Sequence, residues 1–379
     1  MIDFSQPSIT KLEKKYVQDA LEHSYLSGDQ KYTKLCTEWF NKQGFKNFLL
    51  TTSGSSALDL SAILSEIQPG DEFITPSFTF SSTANAFMSR GAFPVFAEID
   101  PKTMNIDANK IEAKITNKTK AIVPVDYAGV SCDMEKINKI AKKHHLMVIE
   151  DAAQAVGSKY NGKPCGLAAD IACFSFHETK NYNMGEGGAI YIKDDELMEK
   201  AEIIREKGTN RKQYLNGQVD KYTWYMVGSS ILPSDVLAAI LYGQLQRFDE
   251  ILQKRLSIWN EYYNFFESLE QQNKLKRPYI PKYAEHNGHI FYLILENNQT
   301  RNDLLNYLRE NGIGATFHYL PLHSSPLGQK YGYKANDLPI TEEYAGRLIR
   351  LPIHCNMSHE DIITVCGLVD KFIKTYKKK

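Results

Sequence analysis

Between Phe48 and Ile192 short apolar runs alternate with helix-length amphipathic segments, and this alternation restricts the chain to a parallel sheet covered by helices. The runs are FLLTT, EFITP, PVFAEI, AIVPVDY, LMVIEDAA, IACFSF and GAIYIK. Between the earlier ones SSALDLSAILSEI, TFSSTANAFMSRG, DANKIEAKI and DMEKINKIAKKHH read as helices. The fold class is therefore α/β and doubly wound. Ligands of such sheets bind beyond the carboxyl ends of the strands, so the residues just after each run are the candidates for function.

A chain of 379 residues exceeds one small core and suits a large α/β domain with a smaller partner. A helical stretch from Ser234 to Glu270 is expected to bridge the two. After RPYIPKY the pattern changes: HIFYLIL reads as a strand, RNDLLNYLRENG as a helix ended by Gly312, and SHEDIITVCGLVDKFIKTYKKK as a last helix with a capping serine and a solvated basic end. The expected division is an N-terminal arm and large domain over 1–250 and a small C-terminal α/β domain over 251–379.

Lysine plus arginine and aspartate plus glutamate both count 45, so the formal net charge is zero and no basic excess points to nucleic acid or an anionic membrane. No run approaches the ~18 apolar residues of a membrane span, and MIDFSQPSITKLEKKY lacks the apolar core of a secretory signal. The six cysteines show no CxxC pairing and no zinc spacing with histidine, so reduced thiols, a cytoplasmic setting and no metal are expected.

Features at three run ends point to one cofactor. In SFHETKN, Lys180 follows IACFSF and precedes the glycine-rich MGEGG, where a free amine could form a Schiff base with an aldehyde. In VIEDAAQ the strand delivers Glu150 and Asp151, and a carboxylate there can pair with the pyridinium nitrogen of pyridoxal phosphate, keeping the ring an electron sink. Neighbouring side chains leave a strand on opposite faces, so alternation alone does not choose between them. In LLTTSGSSALDL a strand, a glycine turn and a helix start make an anion site, to which Ser55 and Ser56 add hydroxyls. Each motif alone has a commoner structural explanation: a surface lysine, a helix cap, a plain turn. Together, in this chain order, they favour pyridoxal phosphate, and the GxGxxG and GxxxxGK[ST] fingerprints of competing cofactors are missing.

With TPSFTFSSTANAF, VPVDYAGV, VIEDAAQ, CFSFHETKN, GEGGA and FHYLPLH added, the sequence resembles the DegT/DnrJ/EryC1/StrS sugar aminotransferases over nearly its whole length. The resemblance implies the type I, aspartate-aminotransferase-like fold, with a mostly parallel sheet in the large domain, and a homodimer whose active sites lie at the interface. Lys180 matches the lysine that bonds the cofactor, Asp151 the pyridinium partner, Gln154 and Phe80 the groups against the two ring faces, and Ser55, Ser56 and Ser175 the phosphate donors. Relatives often supply a partner-subunit asparagine to the phosphate. Here GSSILPSD places Leu232 at that point, with Ser229 or Ser230 as substitutes.

Within the family, PGDEFITPSFTF, REKGTNR, GQVDKYTW and FHYLPLHSSPLG are most similar to the transaminases that form dTDP-4-amino-4,6-dideoxygalactose. That likeness implies dTDP-4-keto-6-deoxyglucose as acceptor and glutamate as donor. Phe176 and His177 before the lysine accompany amination at sugar C4. His177, Arg211, His318, Tyr319 and His323 are the candidate sugar-nucleotide contacts. A same-fold dehydratase is disfavoured because such relatives carry histidine where this chain has Lys180, and a regulatory homologue is disfavoured by the intact lysine and aspartate.

Overall fold

A computed structural model describes residues 1–23 and 25–376. The KKK end expected to be solvated lies outside the described residues. The central sheet has seven strands: β1 (Phe48–Thr51), β2 (Glu72–Pro76), β3 (Phe93–Ala97), β4 (Thr119–Ile122), β5 (Met147–Asp151), β6 (Ile171–Ser175) and β7 (Gly188–Ile192), in the order β1-β7-β6-β5-β4-β2-β3. Pairings from β6 through β5, β4 and β2 to β3 are parallel, whereas β7 runs antiparallel to both β1 and β6. Strands β1, β5, β6 and β7 have no exposed residue, which is why they read as unbroken apolar runs rather than as alternation.

Because β1 and β6 flank an antiparallel strand, they point the same way as each other and as β5, β4 and β2. Their carboxyl ends therefore share one edge, and β7 starts from that edge. Gly188 stands opposite both Thr51 and Ser175 in the two ladders. The residues after β1, β2, β5 and β6 are thereby gathered at one rim.

Helix starts follow local caps. Ser53, Asp133, Asp194, Ser234 and Asn297 each accept a backbone N–H at the start of the helix they precede, and Ser358 and Asp361 form a reciprocal capping box before His359–Thr375. The stretch expected to be helical from Ser234 to Glu270 is divided into Asp235–Gln246, Phe248–Phe265 and Glu267–Gln271. At the first break Arg247 turns its guanidinium back to Glu13 Oε1 at 3.0 Å and Ser8 O at 3.3 Å, tying the N-terminal arm to the turn.

One apolar core gathers side chains from Ala20 to Ile251, and another those from Ile258 to Phe372. The latter surrounds strands β8 (Phe291–Ile294) and β9 (Leu348–Leu351), paired antiparallel. Ile2 packs on it and bridges Ile313, so the chain's start is part of the C-terminal layer. Phe78 and Tyr127 from the sheet rim pack with Ile290, Tyr292 and Leu348, joining the two bodies at the carboxyl edge. Among the described residues no helix is long and apolar enough to cross a membrane.

Candidate active site

A cavity of about 370 Å³ opens at this joint, lined by strand ends of the sheet and by β9 and its neighbours. Its wall includes Ser53, Gly54 and Ser55 after β1, Phe80 and Thr83 after β2, Asp151 at the end of β5 and Gln154 beyond it, and Ser175 at the end of β6 with His177 and Lys180 beyond it. The C-terminal layer adds Arg255, His289, His318, Tyr319 and Arg350.

Lys180 sits in the loop between β6 and β7, closed by Phe176 N donating to Gly187 O at 2.8 Å and Met184 N donating to Phe176 O at 2.9 Å. Its neighbours are pinned: Asn181 Nδ2 donates to Asn287 O at 2.9 Å, and the Tyr182 ring stacks on Phe248 at 4.6 Å. Burial lowers the Lys180 ammonium to about 8, with Asp151 opposing the shift and Arg350 adding to it. A neutral amine is thus accessible near physiological pH, which a nucleophilic lysine needs.

The structure separates the two acids that strand alternation left equivalent and puts on the cavity the one that the resemblance implied. Asp151 lines the cavity and is 5 % exposed; its Oδ2 accepts from Thr83 Oγ1 at 2.7 Å and its Oδ1 from Ala153 N at 3.2 Å. Burial pushes its carboxyl up, against the Thr83 and Ala153 hydrogen bonds and the Lys180 charge, so a cation placed beside it would restore the carboxylate. Glu150 is fully buried away from the cavity, its oxygen within 4.8 Å of ligand-type atoms of Asp126 and Cys165. Burial and the Asp126 carboxyl hold Glu150 well above the ordinary carboxylate range.

Gln154 is fixed at both ends of its amide. Its Oε1 accepts from Ala128 N at 2.7 Å, and its Nε2 donates to the Tyr319 hydroxyl at 2.9 Å. The loop carrying Ala128 needs left-handed backbone at Ala128 and Gly129, and a Cβ on Gly129 would fall 2.0 Å from Asn287 Oδ1. The segment VDYAGV is therefore a shaped support for Gln154. Tyr319 also stacks on His318 at 3.7 Å, and His318 Nδ1 meets the Tyr127 hydroxyl at 2.8 Å.

The expected anion site falls at the start of helix Gly54–Leu64, which is pressed onto the sheet. A Cβ on Gly54 would approach Ser175 Cβ to 2.9 Å, and one on Gly188 would stand 2.3 Å from Ser53 C and 2.4 Å from Gly54 N. Both glycines therefore let the helix start close on the strand ends. Ser55 faces the cavity, its hydroxyl 2.7 Å from Ser82 Oγ. Ser56 does not line it: Ser53 Oγ takes its N–H at 3.0 Å, and its hydroxyl lies 2.9 Å from both Thr52 and Ser53. Ser175 lines the cavity at the same rim, while Phe80, 58 % exposed, stands 6.2 Å from Tyr319 across its mouth.

Two expected sugar contacts lie elsewhere. His323 is fully buried, with Nδ1 2.7 Å from Ser77 Oγ and Nε2 3.3 Å from Glu342, so it ties the β2 rim to the C-terminal layer. Arg211 is 51 % exposed and paired with Glu206 at 3.4 Å, away from the cavity wall of its own chain. His177 does line it, partnered by Thr179 at 2.9 Å and Glu186 at 3.6 Å. Ser229 and Ser230 extend backbone pairing beside Glu206 and do not reach the cavity of their own chain. Thr83 and Arg350 were not anticipated. A Thr79/Thr83 pair at helical spacing and an arginine inside the apolar run RLIRLPI were the available signals.

Comparison with known proteins gives this geometry its context. The model of the DegT/DnrJ/EryC1/StrS aminotransferase family matches residues 7–370. The chain belongs to that family. It is 35% identical to the spore coat polysaccharide biosynthesis protein SpsC of Bacillus subtilis, over 98% of this chain and 97% of that one. It is 33% identical to the GDP-perosamine synthase of Caulobacter vibrioides, over 98% of both chains. The solved PLP form of Spr1654 from Streptococcus pneumoniae superposes with a TM-score of 0.92 at 25% identity, covering 100% of each chain, and a PMP form of the same protein is also known. The chain is thus a pyridoxal-phosphate-dependent aminotransferase of nucleotide-linked sugars with the type I fold. Its residues fit the cofactor: a helix start cleared of side chains by Gly54 and Gly188 for a phosphate, and a buried carboxyl that lacks a strong cationic partner for the ring nitrogen.

Proposed function

We propose that the protein transfers the amino group of glutamate to C4 of dTDP-4-keto-6-deoxyglucose, giving dTDP-4-amino-4,6-dideoxygalactose and 2-oxoglutarate. The observation that carries the reading is the convergence of Lys180, Asp151 and the start of helix Gly54–Leu64 on one cavity. The choice of sugar rests on the similarity of PGDEFITPSFTF, REKGTNR, GQVDKYTW and FHYLPLHSSPLG to transaminases of that product, and on Phe176-His177 ahead of the lysine.

Bound pyridoxal phosphate supplies an aldehyde for an amine and a ring that draws electrons from the adjoining carbon. Lys180 Nζ is the amine held ready for that aldehyde. With the cofactor bound, neutral Lys180 Nζ would take the proton from the donor's amino-bearing carbon and, in the second half of the cycle, deliver one to sugar C4. Asp151, oriented by Thr83 and Ala153, would hold the ring nitrogen and supply the negative charge that keeps it protonated. Gln154 and Phe80 would bound the two ring faces, and Ser55 and Ser175 would donate to phosphate beside the helix start.

A homodimer in the cytoplasm is part of the proposal. Tyr222, Trp224, Tyr225 and Val227 are all more than half exposed, and a second copy would cover them. In that dimer Ser229 or Ser230 would reach the partner's cofactor phosphate.

Incubation with glutamate and dTDP-4-keto-6-deoxyglucose, followed by NMR of the product, tests the reading. An axial amine at C4 of a dTDP-sugar is expected. Preference for a GDP-linked keto sugar, as the likeness to GDP-perosamine synthase allows, would replace the nucleotide assignment, and amination at C3 would overturn the regiochemistry.

A further inference from the structure

Behind Lys180 lies a second, smaller cavity of about 10 Å³, about the least that one water needs. Lys180, His289, Gln154 and Ser175 line both it and the cofactor cavity, so the two spaces meet at these side chains. Asn181 lines the smaller one and fixes the state of the histidine.

His289 is 7 % exposed, and its hydrogen bonds decide which ring nitrogen carries the proton. Asn181 Nδ2 donates to Asn287 O at 2.9 Å, which leaves Asn181 Oδ1 to face His289 Nδ1 at 2.9 Å. An amide oxygen only accepts, so Nδ1 bears the hydrogen. Asn287 holds the same residue by its backbone: its Oδ1 accepts from His289 N at 3.0 Å, while its Nδ2 donates to Gln154 O at 2.8 Å and Val156 O at 2.9 Å. In the neutral ring Nε2 is then a bare lone pair, with no hydrogen-bond partner among the described residues. Burial, helped by the Lys180, Arg255 and Arg350 charges, pushes the ring well below its usual titration range, so the lone pair persists at neutral pH.

We infer that the smaller cavity holds the water that amino transfer consumes, and that His289 Nε2 positions this water beside Lys180 Nζ. The inference rests on the aminotransferase reading above and adds the step that releases the keto acid. In the donor half that release takes up one water. Its oxygen bonds to the carbon that bore the donor's amine, the bond from that carbon to nitrogen breaks, and both water hydrogens end on the nitrogen. The acceptor half runs the same exchange backwards at the sugar carbon and returns the water, so no further reactant is needed. One O–H of the water donates to His289 Nε2, which sets the direction of the oxygen. The other proton is taken by Lys180 Nζ and handed to the nitrogen, and the first follows as the carbonyl forms. Lys180, at about 8, is the stronger base of the two, so His289 stays neutral and is a positioning residue that acts through the water.

The test compares the cofactor-loaded wild type with His289→Asn and His289→Gln. The Asn amide can still donate to Asn181 Oδ1 but leaves nothing at the Nε2 position, and the longer Gln restores an amide there. With glutamate in heavy water, NMR follows exchange of the α-hydrogen, which needs only proton transfer by Lys180. A single-turnover assay follows 2-oxoglutarate, which needs the water. His289→Asn should slow 2-oxoglutarate release about 10- to 100-fold, the worth of one buried hydrogen bond, while α-hydrogen exchange stays within about 3-fold. His289→Gln should recover part of the loss. Equal losses in both readouts, as a merely structural histidine would give, or unchanged release in His289→Asn, would overturn the assignment. Nitrogen NMR of the cofactor-free protein checks the tautomer without any reaction: Nδ1 protonated and Nε2 bare near neutral pH is expected, and a proton on Nε2 would also overturn it. A wild type that passes these tests with glutamate yet aminates no dTDP-sugar would instead sink the proposed function and leave this inference standing.

Discussion

Asp151→Asn tests the electronic role of the buried acid with little change of shape. The amide oxygen can accept from Ala153 N or Thr83 Oγ1, the partners now at 3.2 Å and 2.7 Å, so the side chain keeps its place and the variant should bind cofactor. What is lost is the negative charge in a site that is 5 % exposed. Removing one member of a buried ion pair costs about 3–5 kcal/mol, and at about 1.4 kcal/mol per tenfold this predicts a drop in turnover between roughly 10² and 10⁴-fold. A single-turnover assay with glutamate reads the loss in the donor half directly, with the cofactor spectrum recorded first to confirm loading. A loaded Asn variant running within about threefold of wild type, under 1 kcal/mol of the barrier, would refute the claim that Asp151 keeps the ring protonated.

The rate of cofactor capture by apoenzyme should rise with pH and level off above about 8, because only neutral Lys180 reacts; a rate flat from pH 6 to 9 would contradict the lowered Lys180. Glu150→Gln should stabilise the protein near neutrality and much less near pH 4.5. The native carboxyl is raised above its unfolded 4.5, so its contribution is full below that value and declines as pH climbs, and melting curves at both pH values would expose a gap that fails to widen. Gly188→Ala should weaken cofactor binding at least tenfold with circular dichroism unchanged, since its Cβ would push on Ser53 and Gly54 at 2.3–2.4 Å; unaltered cofactor affinity by fluorescence titration would count against a helix-start phosphate site. His323→Ala should lower stability by about 1–3 kcal/mol by stranding Ser77, with KM for the sugar unmoved, and a selective rise in that KM would restore His323 as a substrate contact.

Much of the sheet was legible because strands buried on both faces write themselves as apolar runs, and the rim could be found because function follows strand ends. Direction was less legible. GAIYIK gives no hint in composition that β7 runs antiparallel; the short Ser175-to-Gly188 connection, too brief for a crossover helix, was the clue. Composition also fails to distinguish Ser53 from Ser56, since either could cap, and only backbone geometry turns the Ser56 hydroxyl toward Thr52 and Ser53. Strand alternation could not choose between Glu150 and Asp151; the family resemblance chose Asp151, and the structure gives the physical reason, with Asp126 and Cys165 on Glu150's side. Arg350 is legible only in retrospect: an arginine among apolar neighbours reads as a strand edge until the cavity it enters is known.

Reduction of the cofactor-loaded enzyme with borohydride, followed by proteolysis and mass spectrometry, tests the central claim most directly. The account predicts one pyridoxyl adduct per chain, on Lys180 in the peptide containing SFHETKN. An adduct on another lysine, or none in protein that binds the cofactor, would contradict it.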